Sequence, residues 1–117
     1  SDVCSSDLFF GVDDLDATLG AVTDAAPVIM LIHEPDAFPR VPERVSLTLA
    51  GHTHGGQIRL PFLGAVPHIP MQLDQRFDQG LFPYGKMQLF ITPGVGESGP
   101  RARLFRPPEI SVLNIIY

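Results

Sequence analysis

Apolar positions along this chain come in short runs cut by proline, glycine and acidic residues, and each run predicts one element. Phe9 to Asp14 (FFGVDD) reads as the end of a strand running into an acidic turn. Asp14 can cap a helix in which Leu15, Thr18, Leu19, Val22 and Ala26 share one face, with Pro27 ending it. Val28 to His33 (VIMLIH), an uninterrupted run rich in β-branched residues, predicts a fully buried strand. EPDAFPRVPER follows as a proline-punctuated loop with room for one helical turn, and Val45 to Gly51 (VSLTLAG) predicts a second buried strand. GQIRLP reads as a third strand, and residues 61–79 as irregular, because Pro61, Pro67 and Pro70 break any ladder. GLFPYGKMQLFITPG suits two strands joined near Tyr84–Lys86, where Gly85 can take a positive φ. A long loop, PGVGESGPRARLFRPP, leads to EISVLNIIY, whose alternation predicts a closing strand. Strand-rich with one clear helix, the pattern is that of a layered α/β or α+β piece.

Composition narrows this. With 117 residues the chain is at most one small domain or a piece of a larger one. Its 12 prolines and 11 glycines favour short strands and turns over a helical bundle. Its longest apolar run, AAPVIMLI, falls far short of the ~20 residues that cross a bilayer, so neither a transmembrane nor a signal segment is expected within it. Any membrane association would come through residues upstream, and localisation stays unassigned. From Arg59 onward six basic residues face four acidic ones, against two and nine before it. That asymmetry could help hold an anionic substrate, yet it is too weak for a phosphate track, so no nucleic-acid partner is expected.

The opening SDVCSSDL has no initiator Met, and one reverse translation of it resembles a sequencing-adapter oligonucleotide. Ser1 to Leu8 is therefore expected to be a non-native artefact, with residues 9–117 the natural part of a gene extending further upstream. On that reading Cys4 says nothing about redox compartment, and removing Asp2 and Asp7 leaves a net charge of −3 in place of −5.

The chemistry concentrates in His33, His52 and His54. His33 ends one predicted buried strand, and His52 and His54 follow another, where strand ends deliver side chains to functional loops. An isolated histidine is more often solvated or hydrogen-bonded than ligating. In GHTHGG, however, the two imidazoles share a parity and are bracketed by glycines that let the backbone turn tightly. Imidazole nitrogen suits zinc, iron, nickel and copper, so this pattern points to a metal. His68, in an irregular proline-flanked stretch, is read as an ordinary histidine. Arg101, Arg103 and Arg106 could reach a phosphate, with surface exposure the simpler account. GVGESG lacks a following helix and is weak as a dinucleotide or P-loop motif.

HEPD (His33 to Asp36), LTLAGHTHGGQIRLP and GLFPYG…GVGESGPRARLFRPPEI resemble the C-terminal half of calcineurin-like metallophosphoesterases, in particular a bacterial branch of phosphohydrolases carrying GHTHGGQ. The resemblance covers residues 9–117 and implies the C-terminal part of a layered α/β/β/α sandwich with two divalent ions (manganese, iron, zinc or similar) between its sheets. It implies that His33 and His52 bind the second ion and His54 the first, acting on a phosphate-ester substrate. Two such cations, ~3.5–4 Å apart, bind ester oxygens and acidify a water that attacks phosphorus in line. The family's Asp-x-His, Gly-Asp-x-x-Asp and Gly-Asn-His-Asp/Glu motifs are absent from this chain, so its catalytic residues are expected upstream. The expected function is a phosphodiesterase or phosphatase of which this chain, inactive alone, carries part of the site. The alternative is a non-catalytic metal-binding domain of the same fold.

Overall fold

The computed structural model describes residues 14–66, 73–74, 76–99 and 101–116. The expectations for Ser1–Leu8, Cys4, the Phe9–Asp13 strand end and His68 lie outside the described residues.

Helix α1 (Leu15–Gly20) starts where its cap dictates, with the Asp14 carboxylate accepting the Ala17 N–H at 2.8 Å. It stops well short of Pro27. Asp24 accepts the Ala26 N–H in a local turn, and Arg44 donates to the Val22 and Asp24 carbonyls, capturing groups that a longer helix would use. Of the predicted face, Leu15, Leu19 and Val22 pack against the core, whereas Thr18 and Ala26 are exposed, the latter because the helix ends before its third turn.

Four strands follow in the main sheet: β1 (Val28–Leu31), β2 (Val45–Ala50), β5 (Gly80–Tyr84) and β6 (Met87–Ile91), in the spatial order β1-β2-β6-β5. β1, β2 and β6 run parallel, whereas β5 pairs antiparallel to β6 through the expected hairpin, with Gly85 at φ 60°. Two residues of β3 (Arg59–Leu60) and two of β4 (Gly64–Ala65) form a separate small hairpin. Between β1 and β2 lies a 3₁₀ segment, Pro35–Arg40, in place of the single turn the loop allowed. The chain is of mixed α/β character, as the pattern predicted.

One face of the sheet holds the core. Val28, Met30, Val45, Ala50, Met87, Leu89 and Ile91 cluster there with Phe38 and Val41. Burial of β1 and β2 on both faces is not observed. β1 alternates buried and exposed, with Ile29 at 45% and Leu31 at 77% exposure, because α1 covers one side and no described residue covers the other. The strand expected over GQIRLP contracts to β3, since Phe62 turns the chain at φ 68° and Ile58 instead forms an isolated parallel bridge with Leu104. No closing strand is formed among the described residues either. Beyond Glu109, whose N–H donates to Gly94 O, residues 110–116 have the alternation of a strand but pair with no described neighbour. No helix among the described residues is long and apolar enough to cross a membrane.

Candidate metal centre

Three adjacent parallel strands end on the same edge, and each releases a loop there. The ladder continues one step past the strands: Ile32 N donates to Leu49 O, Gly51 N to His33 O and Thr92 N to Ala50 O. His33 after β1, His52 after β2 and the Pro93–Gly96 loop after β6 are thus held side by side, at the carboxyl ends where open α/β sheets place their ligands.

The segment from His52 to Gln57 is almost entirely left-handed. His52 (φ 65°), His54 (φ 50°), Gly55 (φ 61°), Gly56 (φ 74°) and Gln57 (φ 28°) all lie in the region that favours glycine. Non-glycine residues in this region cost of order 1 kcal/mol each and persist only where surrounding contacts enforce them. Thr53 is one enforcer: its buried hydroxyl donates to Asp78 O at 2.6 Å and accepts from Gly55 N at 3.2 Å. Gly55 is another constraint, because a Cβ there would stand 2.7 Å from Gln79 Oε1 and 3.1 Å from Pro93 Cβ.

The structure brings two of the three expected histidines together. His33 Nε2 lies 3.1 Å from His52 Nδ1, with both rings half-buried and crossed edge to face. His54 turns elsewhere, and its Nδ1 lies 3.0 Å from Gly96 O. A carbonyl oxygen only accepts, so the contact places a proton on Nδ1, and in the neutral ring the lone pair is then on Nε2. Among the described residues, no three His, Cys, Asp or Glu side chains converge on one point.

Of the three arginines read as surface or phosphate-reaching, Arg101 is exposed, whereas Arg103 and Arg106 are turned into the loops. Asp78, buried to 6% exposure, receives both Arg59 and Arg106, the latter at 3.0 Å, and Arg106 Nε also donates to Gly55 O at 2.7 Å. Among the described residues Arg103 donates only to backbone carbonyls, those of Pro93, Gly94, Gly96, His54 and Arg106. Gln57 forms two hydrogen bonds with Ser98, accepting from its N–H and donating to its C=O, so the side chain pairs the loops as a strand would. The Arg103 and Gln57 roles have no sequence signal, since a carbonyl acceptor can belong to any residue.

The pair His33–His52 fits a metal ion. Nitrogen ligands 2.0–2.1 Å from a common ion stand ~3.1 Å apart when their bonds open by roughly 100°, between the octahedral and tetrahedral angles. The observed 3.1 Å separation is of that size, and imidazole suits zinc, iron, nickel and copper. His54, with Nε2 free of the Gly96 contact, fits as a donor to a different point.

A pair of imidazoles at hydrogen-bond distance, on the carboxyl edge of a parallel sheet and backed by strained and stapled loops, is the chemical centre of this edge. Sequence comparison gives the family. The chain is 36% identical over 110 residues to the uncharacterized metallophosphoesterase YkuE of Bacillus subtilis, covering 93% of this chain and 38% of that protein. It is 38% identical over 91 residues to the phosphodiesterase YaeI of Escherichia coli, covering 77% of this chain and 33% of the relative. It is 33% identical over 98 residues to the UDP-2,3-diacylglucosamine pyrophosphatase LpxG of Chlamydia muridarum, covering 78% of this chain and 30% of the relative. The chain therefore spans between 30% and 38% of the length of these three relatives. No protein-family model and no solved structure matches it. This chain belongs to the metallophosphoesterases.

Proposed function

We propose that the chain is part of a calcineurin-like phosphoester hydrolase with a two-metal site, in which His33 and His52 hold one ion and His54 the other. The observation that carries this is the 3.1 Å approach of His33 Nε2 to His52 Nδ1, a spacing two nitrogens adopt around a shared cation. Relatives named as a phosphodiesterase and a pyrophosphatase support a phosphate-ester substrate. Divalent cations, when bound, polarise such an ester and supply a nucleophilic water. This chain's own contribution is narrower: it orients three imidazoles, and its stapled loops keep them at the sheet edge. The acidic ligands and leaving-group acid are assigned to residues upstream of this chain, and residues 9–117 to the C-terminal part of an α/β/β/α sandwich. The open apolar face bearing Ile29, Leu31 and Leu81 supports that assignment, since a second sheet would cover it.

The test has two arms. Calorimetric titration with Mn²⁺ and Zn²⁺ should show binding that His33→Ala and His52→Ala abolish. The longer reading frame should then hydrolyse p-nitrophenyl phosphate or its bis-ester in a metal-dependent way. Binding that survives both substitutions would refute the ligand assignment. A second reading, a metal-binding domain of the same fold without turnover, is favoured by one observation: no third ligand joins the histidine pair among the described residues. Metal binding without hydrolysis by the longer chain would select it.

A further inference from the structure

Arg103 is an arginine without a carboxylate partner among the described residues, and its guanidinium sits half-buried between two loops. Nη2 donates to Pro93 O at 2.9 Å, Gly94 O at 3.2 Å and Gly96 O at 2.5 Å. Nη1 lies 3.4 Å from both His54 O and Arg106 O. The buried Nε has no partner. An arginine whose hydrogen bonds all end on carbonyls contributes geometry, because its planar fork fixes the acceptors in relation to one another. Two of those acceptors belong to His54: its own carbonyl, and the Gly96 carbonyl that receives its Nδ1–H.

We propose that Arg103 is a positioning residue for His54: it pins the Gly96 carbonyl against the imidazole, holds His54 in the Nδ1–H tautomer and so reserves Nε2 for a ligand. The fork closes a ring of contacts from guanidinium to Gly96 O, to the His54 ring, along the His54 backbone and back to the guanidinium. Without it, among the described residues the Gly96 loop keeps only its flanking ties, Gly94 to Thr92 and Glu109 on one side and Ser98 to Gln57 on the other, none of which binds Gly96 O, and His54 at φ 50° loses one support of its strained backbone. A hydrogen bond on the non-ligating nitrogen sets the tautomer of a histidine and raises the basicity of the other nitrogen; losing it typically weakens metal affinity 10–100-fold. The consequence for metal affinity rests on the two-metal reading above. The consequence for the tautomer does not.

The experiment is a long-range ¹H–¹⁵N correlation spectrum of the imidazole nitrogens in the neutral state, recorded on the chain and on Arg103→Met and Arg103→Lys. The unsubstituted chain should show His54 as the Nδ1–H tautomer. Arg103→Met should move it towards a mixture while the His33 and His52 signals hold, and Arg103→Lys should restore it in part. Zn²⁺ titration followed at the His54 signals should weaken 10–100-fold in Arg103→Met. An Nε2–H tautomer in the unsubstituted chain, or an unchanged His54 pattern in a folded Arg103→Met variant, would overturn the proposal. Should Arg103→Met fail to fold, the unsubstituted chain and the lysine variant still decide. Absence of Zn²⁺ binding with the tautomer pattern as expected would refute the metal reading alone.

Discussion

His33 and His52 meet at 3.1 Å although 19 residues separate them. Their strands are parallel neighbours, Leu31 lies beside Leu49, and the pairing carries on as Gly51 N donates to His33 O. The meeting is therefore a property of the sheet register. A shared ion makes the pair act as a unit, so removing either imidazole should cost nearly as much affinity as removing both. Calorimetry on His33→Ala, His52→Ala and the double variant should show single losses of at least 10-fold, with a double loss well below their product. Multiplicative losses would mean the two rings bind separately.

Gly55 should not tolerate a side chain. Alanine there would carry a φ of +61° and a Cβ 3.1 Å from Pro93 Cβ and 3.2 Å from Arg106 Cδ, so a loss of about 1–3 kcal/mol is expected in urea denaturation. Gly20 is the contrast, because it sits at the end of α1 with open space around it. Gly20→Ala should gain up to about 1 kcal/mol from helix propensity. Equal effects of the two substitutions would contradict the packing described.

The buried Asp78 should matter far more than the exposed Asp74. Asp78 joins Arg59 and Arg106, and its own carbonyl receives the Thr53 hydroxyl, so Asp78→Asn leaves two guanidinium groups short of a charge beside the histidine loop. The carboxylate is buried while the two guanidinium groups are 35% and 21% exposed, so breaking the network should cost about 1–3 kcal/mol. Asp74 pairs with Arg76 at 3.2 Å on the surface, with side-chain exposures of 54% and 75%, and Asp74→Asn should cost less than about 1 kcal/mol. Chemical denaturation of both variants gives the comparison, and a loss for Asp78→Asn as small as that for Asp74→Asn would show that the network contributes nothing.

Thr48 offers a gain. It is fully buried in β2 between Met30 and Leu89, and its hydroxyl has no hydrogen-bond partner. Valine keeps the shape and removes an unsatisfied group whose burial costs about 1–3 kcal/mol. Thr48→Val should raise the thermal midpoint, and an unchanged or lower Tm would mean the hydroxyl is satisfied in solution.

Local chemistry made much of this legible from the sequence alone. Asp14 caps α1 because a carboxylate takes up an orphan N–H, the β5–β6 hairpin turns at Gly85 because glycine accepts a positive φ, and the apolar runs at Val28 and Val45 become strands. The GHTHGG motif and the HEPD histidine were likewise readable as candidate ligands. What tertiary structure decided was whatever depends on partners far along the chain. It stopped α1 at Gly20 through Arg44, left EISVLNII without a sheet neighbour among the described residues, and kept one face of β1 open. It also placed His33 against His52 and sent His54 towards Gly96. Most of all, it turned Arg103, Arg106 and Gln57 inward to backbone groups. Periodicity reports which face of an element is apolar; a hydrogen bond to a carbonyl leaves no trace in residue type, and only the folded chain shows where it ends.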